Sequence, residues 1–375
     1  MSDPLFIEFH IIQSVPPSNI NRDDTGSPKT AIFGGVRRAR VSSQAWKRAT
    51  RASFANLLDK DDLGTRTKLV AGLIAALIDQ LAPDYASESL SMAVAALKAA
   101  GIELATDKEG TRTTGALFFI SQGQARALAE LAIQAKTDGT PIDKPQAKAA
   151  LKAKRGTTAN NAIDIALFGR MVAEAPELNS DAACQVAHAI GIHRTDPEFD
   201  YFTAMDDLAP EDNAGAGMIG TVEFTSSTLY RYATINVPLL KENLNDSAPA
   251  VARAVQAFAD AFVTSMPTGK QNTFANRTLP AAVLVQLRQT QPVSLVNAFE
   301  KPIEPDEHKG RIELACEALI DQENALDEAF GVAPQKSFVI LGSPSAAALT
   351  TLGEQVSLAR LEEALAETIQ AWSQS

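Results

Sequence analysis

Residues 31–51, AIFGGVRRARVSSQAWKRATR, contain an extended segment, a glycine pair, two serines and a basic helix, and the rest of the chain is read outward from them. Val36 to Val41 reads as a strand. Ser42 and Ser43 then supply hydroxyls that cap a helix running to about Asn56. On that helix Gln44, Lys47, Arg48 and Arg51 recur at i, i+3, i+4 and i+7 and share one face, while Trp46, Ala49, Ser53 and Leu57 take the opposite one. Between Lys29 and Arg51 lie seven basic residues, Lys29, Arg37, Arg38, Arg40, Lys47, Arg48 and Arg51, with no Asp or Glu among them. A helix N-terminus with outward backbone N–H groups, followed one and two turns later by cations, suits a phosphate chain laid across it. The competing reading is a solvated basic face, against which the Gly34-Gly35 pair and the capping serines weigh.

Net charge is −11 over 375 residues, which taken globally argues against a nucleic-acid partner. The charge is unevenly distributed. Residues 1–51 carry eight Lys or Arg against four acidic residues, so the positive balance is confined to one segment and the remainder is strongly acidic. At 45% apolar the chain can bury a sizeable core in two or three lobes. Cys184 and Cys316 stand far apart in no CxxC spacing, so neither a disulfide framework nor a zinc knuckle is indicated and a reduced, cytoplasmic setting fits. No run approaches the ~18 apolar residues of a membrane span, and the N-terminus has no basic leader.

Leu5 to Ile12 alternates, with Leu5, Ile7, Phe9 and Ile11 on one face, and reads as a first strand. Ser14 to Pro28 is expected to be a loop because of its prolines. Residues 59–157 are rich in Ala, Leu and Lys, with helical periodicity near 66–81, 86–100 and 122–136. They read as a mostly helical insertion, its third helix opened by a Ser121/Gln124 capping box. Lys136 to Pro145 reads as a turn-rich link to a short basic helix at 147–155. Ile163, Ile165 and Leu167 alternate, as do Val186, His188, Ile190 and Ile192, and both are expected to be strands. Thr195 to Gly220 is acidic and glycine-rich and reads as a protruding loop or hairpin; 222–238 reads as a long strand pair or a bent strand. A helix over 248–266, strands near 281–288 and 336–341, and helices near 309–329 and 354–373 complete an α+β pattern consistent with a ferredoxin-like sheet carrying insertions.

Candidate chemistry is sparse. His188 and His193 are five apart, which suits no helical metal pair, and no GxSxG, Walker loop, HExxH or dinucleotide fingerprint occurs. Asp23 and Asp24 sit close to the basic strip, where paired carboxylates could hold Mg²⁺ against a phosphate; capping a turn is the favoured alternative. Tyr201-Phe202 projects two rings from an acidic excursion, either to stack on bases or to anchor the loop. Gly269-Lys270-Gln271-Asn272-Thr273 is a second small polar-basic loop.

With NRDD at 21–24, AIFGGVRRARVSSQAWKRA at 31–49, DIALFGRM at 164–171, AHAI at 187–190, DYFTAMDDL at 200–208 and FTSSTLYRYATIN at 224–236, the chain resembles the CasC family, the backbone subunit of the type I-E CRISPR Cascade surveillance complex. The likeness covers about the first 300 residues in order. It implies an RRM-like palm (1–58, 158–194 and 225–375, the last with C-terminal helices), a helical fingers insertion (59–157) and a thumb hairpin (195–224). It also implies that copies polymerise head to tail along a CRISPR guide RNA, with other Cascade subunits and a target DNA strand as further partners and no membrane. Carried over by position, Arg22, Lys29, Ser42, Gln44, Lys47 and Arg51 would contact guide phosphates, joined by Arg38, Arg40 and Ser43 of the strip. Arg170 and Met171 would border a kinked nucleotide, Tyr201 and Phe202 would belong to the thumb, and Lys270 with Gln271 would add a backbone contact. Tyr201 stands where the family can show Trp, and Arg51 where Lys would also serve. No cofactor, metal or catalytic residue is implied. The alternative is an RRM-like subunit that cleaves target RNA with Mg²⁺ through Asp23 or Asp24.

Overall fold

The structure is a computed structural model that describes residues 3–152, 161–172, 175–204 and 218–374. The chain opens with β1 (Phe6–Ser18), the hairpin β2 (Thr30–Phe33) and β3 (Val36–Val41), and α1 (Ser43–Ser53). An excursion follows: β4 (Gly64–Thr67), α2 (Val70–Leu81), α3 (Ser89–Ala99), β5 (Leu104–Thr106), β6 (Arg112–Thr114), β7 (Phe118–Ser121), α4 (Gln122–Asp138) and α5 (Lys144–Leu151). The main body resumes with α6 (Ile163–Phe168), β8 (Cys184–Val186), β9 (Ala189–Gly191), β10 (Glu198–Ala204) and β11 (Met218–Asn236). It continues through α7 (Val237–Asn243), α8 (Ala248–Thr264), α9 (Gln271–Phe274) and β12 (Ala282–Arg288). It closes with α10 (Arg311–Phe330), β13 (Lys336–Leu341), β14 (Glu354–Gln355) and α11 (Leu358–Gln374).

One sheet organises these elements in the order β14-β13-β12-β1-β11-β9-β3-β2, with β8 and β10 also pairing with β11. β1 and β11 lie side by side at its centre, antiparallel, flanked by β12 and β9. This is the ferredoxin-like arrangement expected of the palm. Alternation along β1 sends Ile7, Phe9 and Ile11 against Val255, Phe258 and Phe262 of α8 and Leu361, Leu365 and Ile369 of α11. The opposite face is covered as well. Ile12, Tyr230, Tyr232, Leu284 and Val339 pack under Ala315, Cys316 and Leu319 of α10 and under Phe299. The polar residues of that face are paired: Glu8 accepts from Arg288 Nε at 2.6 Å, from the Tyr232 hydroxyl at 2.9 Å and from the Val293 N–H. Burial holds the Glu8 carboxyl above its ordinary range, a rise the Val293 N–H and Arg288 oppose.

The excursion has a core of its own, in which Val70, Ile74 and Ile78 of α2 meet Leu97 of α3, Leu128 of α4 and Ile120, joined from further along the chain by Val172, Ala175 and Leu178. The capping box is present, Ser121 Oγ accepting from Gln124 N–H at 3.1 Å while Gln124 Oε1 accepts from Ser121 N–H at 3.2 Å. Among the described residues no helix is long and apolar enough to cross a membrane.

Two expectations about elements are corrected. The stretch Ile163 to Leu167 is the helix α6, not a strand; every residue from Ile163 to Leu167 is buried, so no polar face exists to reveal a helical period. The first strand does not end at Ile12 but continues to Ser18. Pro16 and Pro17 fall where its register against β11 shifts between Val15 and Ser18, an irregularity that tolerates a missing N–H.

Candidate nucleic-acid interface

The β2–β3 hairpin turns on Gly34 and Gly35, whose φ values of +58° and +76° suit a two-residue turn that residues with a Cβ rarely make. A Cβ on Gly34 would fall 1.7 Å from the Glu300 carbonyl oxygen, so the turn lies directly on that backbone. Arg38 locks the same junction. Its side chain is fully buried and donates to the carbonyls of Phe33, Gly191, Phe299 and Glu300. The expectation that Arg38 binds RNA is therefore corrected: every nitrogen of its guanidinium is committed inside the protein.

Around Asn21 the strip is assembled from three segments. Asn21 accepts from Lys29 N–H through its backbone carbonyl at 3.0 Å and from Ser42 N–H through its side chain at 2.8 Å, and Arg40 N–H donates to the Lys29 carbonyl at 2.9 Å. Arg22 is exposed beside them, bridged to Pro28. The Gly269 loop seats against this segment, since a Cβ there would meet the Ile20 carbonyl at 2.4 Å. That places Lys270, in the left-handed region at φ +50°, and exposed Gln271 next to the strip. A shallow depression opens between Asn21, Lys29 and Arg40 on one side and Thr225 and Ser227 on the other, floored by Val15, Ile20, Ala39 and Leu229.

At the rim of the strip α1 begins. Ser42 caps it, accepting from Ala45 N–H at 3.3 Å, and the first turn, with Ser43 and Gln44, carries no acidic residue. Gln44 is exposed, and Lys47 and Arg48 share its side of the helix, with the Lys47 ammonium 5.7 Å from the Phe168 ring centre. Arg51 departs from this face. Its Nε donates to the buried Asp164 carboxylate at 2.7 Å and its Nη2 to the Gly64 carbonyl at 2.7 Å, with the guanidinium over the Phe119 ring. A neutralised cation is a poor phosphate ligand, so Arg51 reads instead as the tie between α1, α6 and the root of the excursion. The packed face of α1 is Trp46 and Thr50; Leu57 lies beyond the helix end and is exposed.

Arg170 is also turned inward, correcting its assignment to the guide. It is buried and donates to the carbonyls of Phe119, Leu151 and Leu178 and to Gln124 Oε1, and desolvation draws its pKa down to about 10. Met171, next in sequence, is 83% exposed. Asp23 is a turn cap, its Oδ1 accepting from Thr25 N–H, the Thr25 hydroxyl and Ser27 N–H. The Thr25 hydroxyl in particular holds its carboxyl below the usual range. Among the described residues no three His, Cys, Asp or Glu side chains converge as a metal site would require.

The hairpin β10–β11 carries the aromatic pair, with Tyr201 opposite Thr221 and Phe202 opposite Gly220; the turn joining the strands falls on residues 205–217, outside the described residues. A Cβ on Gly220 would sit 2.3 Å from the Phe202 ring, so Phe202 lies flat on the glycine of its own hairpin. The free rings are Tyr201 and Phe199, two residues apart on the other face and both about two-thirds exposed. Phe199 was missed by the reading from sequence, though its i, i+2 spacing from Tyr201 was the available signal. At the hairpin base, Phe224 packs on Phe274 of α9 at 5.8 Å, and Asn19 Nδ2 donates to the Glu223 carbonyl, so thumb, Lys270 loop and strip share one foundation. His188 was missed too. It is exposed, and its Nδ1 lies 3.0 Å from Arg40 Nη1.

The geometry has close counterparts. A chain of a solved structure described as a CRISPR RNA-guided surveillance complex, pre-nicking, is 33% identical to this one and superposes with a TM-score of 0.82, covering 97% of this chain and 100% of that one. A second, described as a CRISPR RNA-guided surveillance complex, is 28% identical with a TM-score of 0.70, covering 97% and 99%. Among curated proteins none matches. The pattern of the CT1975-like protein family matches residues 7–366, almost the whole chain, and the chain belongs to that family.

Proposed function

We propose that this chain is a CRISPR guide RNA-binding backbone subunit of a Cascade surveillance complex. Copies are laid head to tail along the guide, and the guide's bases, not the protein, read the target DNA strand. The observation that carries the reading is the sorting of the basic strip. Arg38, Arg51 and Arg170 are consumed by internal partners, whereas Arg22, Lys29, Arg40, Lys47, Arg48 and Lys270 remain on one continuous surface around Asn21 and the N-terminus of α1. Such a surface grips phosphates without regard to sequence, and Ser42, Ser43 and Gln44 add hydroxyl, amide and backbone N–H donors at the positive end of the helix. The exposure of Met171 and of the thumb's Phe199 and Tyr201 supports a role for them in contacting bases by stacking or wedging. The subunit acts by binding and has no catalytic role of its own; of the two carboxylates the cleavage alternative offers, Asp23 and Asp24, Asp23 spends its carboxylate on the turn.

The test is the salt dependence of guide binding. Substituting Lys47→Ala and Arg48→Ala together is expected to weaken binding and to reduce the slope of log K against log salt by about 1.4, roughly 0.7 for each single-strand phosphate left without its cation. The weakening is expected to be the same for unrelated guide sequences. An unchanged slope would sink the phosphate role, and Mg²⁺-dependent cleavage of bound RNA that disappears in Asp23→Asn or Asp24→Asn would revive the alternative.

A further inference from the structure

His188 lies between β8 and β9, at the edge of the strip where β9 pairs with β3, and is exposed. Its Nδ1 is 3.0 Å from Arg40 Nη1, and a guanidinium can only donate, so the imidazole is neutral with Nδ1 accepting and its proton on Nε2. Arg40 is held from its other side by donating through Nε to the Thr30 carbonyl at 3.2 Å. The charged groups facing the ring are Arg40 on β3 and Lys29 at the entry to β2. With partial desolvation as the largest cause, they keep its pKa below the ordinary imidazole value. Among the described residues no carboxylate offsets them.

Building on the guide-binding reading, we infer that His188 is itself a guide-contacting residue, presenting an Nε2–H donor beside Lys29 and Arg40 and becoming a third cation when a backbone phosphate is seated there. Protonation replaces the Nδ1 lone pair with an N–H, so the bond from Arg40 breaks and two cations face one another. Without an anion that arrangement is unfavourable. With a phosphate across the two side chains, the released Arg40 Nη1–H and the imidazolium each donate to it as charge-assisted bonds. The proton comes from solvent and no covalent bond between heavy atoms changes. RNA therefore raises the His188 pKa, and by linkage affinity rises as pH falls through the value in the complex and levels off below the value in the free protein. His10 does not contribute in this window, since it is buried, hydrogen-bonded to Tyr230 and held near 3 by desolvation.

The experiment measures the affinity of the full chain for a guide-length RNA from pH 8 to pH 5.5 at constant ionic strength, for the parent and for His188→Asn. Asn keeps an acceptor for Arg40 without titrating, so the surface stays in register. The parent is expected to bind several-fold tighter at pH 5.5 than at pH 8, towards the tenfold limit that a shift of about one pKa unit sets. Calorimetry in buffers of different ionisation enthalpy is expected to show proton uptake on binding. His188→Asn is expected to lose most of that pH dependence and uptake while keeping the parent's thermal midpoint. A parent profile retained in His188→Asn overturns the inference and leaves the phosphate surface standing. If neither protein binds RNA at any pH, the surface reading fails and the inference with it.

Discussion

At the scale of single residues, a cation's value depends on what already holds it. In Val36-Arg37-Arg38-Ala39-Arg40-Val41, alternation puts Arg38 and Arg40 on the same side of the strand, yet one is buried against the Glu300 carbonyl and the other borders the depression beside Lys29. Nothing local separates them. The partner that captures Arg38 lies 262 residues away, beyond the reach of any pattern in the strip. The same applies to Arg170, whose acceptors come from β7, α4, α5 and the Leu178 turn. A buried hub of this kind is best tested by removal. Arg170→Met removes the donor to the Phe119 and Leu178 carbonyls and one of the two donors to the Leu151 carbonyl, which keeps Gln124 Nε2, and each buried acceptor left unsatisfied costs about 1–3 kcal/mol. The variant is expected to lose about 3 kcal/mol or more of stability in urea unfolding while leaving the salt slope of RNA binding unaltered. A parallel loss of slope with no loss of stability would return Arg170 to the guide.

At the scale of elements, most of the architecture was legible because its period was visible. β1, β11, β12 and β13 each show alternation or a β-branched run, and α2, α3, α4, α8, α10 and α11 each show an apolar stripe. The short helix α6 was illegible for want of a solvent-facing side, and the reach of β1 through Pro16 and Pro17 was hidden because a register shift makes room for them. The thumb shows how element geometry reassigns a motif. Sequence marks Tyr201-Phe202 as a pair, but neighbours on a strand face opposite ways, so the exposed pair is Phe199 and Tyr201, and Phe202 shields Gly220. Tyr201→Ala is accordingly expected to weaken guide binding by about 1–3 kcal/mol with an unchanged salt slope, because stacking releases no counterions. Phe202→Ala is expected to act on the hairpin, speeding amide exchange along Asp200 to Ala204. If Phe202→Ala alone weakens binding and Tyr201→Ala does not, the assignment of faces is reversed.

At the scale of the molecule, the sheet is closed on both faces, so its central aromatics, Tyr230 and Tyr232, lie under α10 instead of lying open to a nucleic acid. On the proposed reading, recognition is displaced to the edge formed by β3, β2 and the N-terminus of α1, and the net charge of −11 belongs to the surface elsewhere. On that same reading, successive copies on one guide repel one another while each is attracted to the RNA. Salt weakens both forces, over a Debye length of about 10 Å at 0.1 M. Assembly on a guide long enough for several copies is expected to pass through an optimum as salt is raised, measured by light scattering, whereas a guide fragment long enough for one copy gives a monotonic decline. A monotonic decline for both would show that repulsion between copies is negligible.

The indole of Trp46 lies beneath α1 with the Arg231 guanidinium 3.8 Å from its ring centre, and the chain's other tryptophan, Trp372, is at the far end of the sequence with its N–H on the Asp3 carbonyl. Desolvation holds that guanidinium's pKa down to about 9, yet it remains charged at neutral pH. The protein thus carries a built-in optical gauge of its own gripping helix. With Trp372 changed to Phe, all indole emission would come from one chromophore wedged against a cation, whose colour and intensity follow any tilt of α1 without a dye attached to the surface that must meet the RNA.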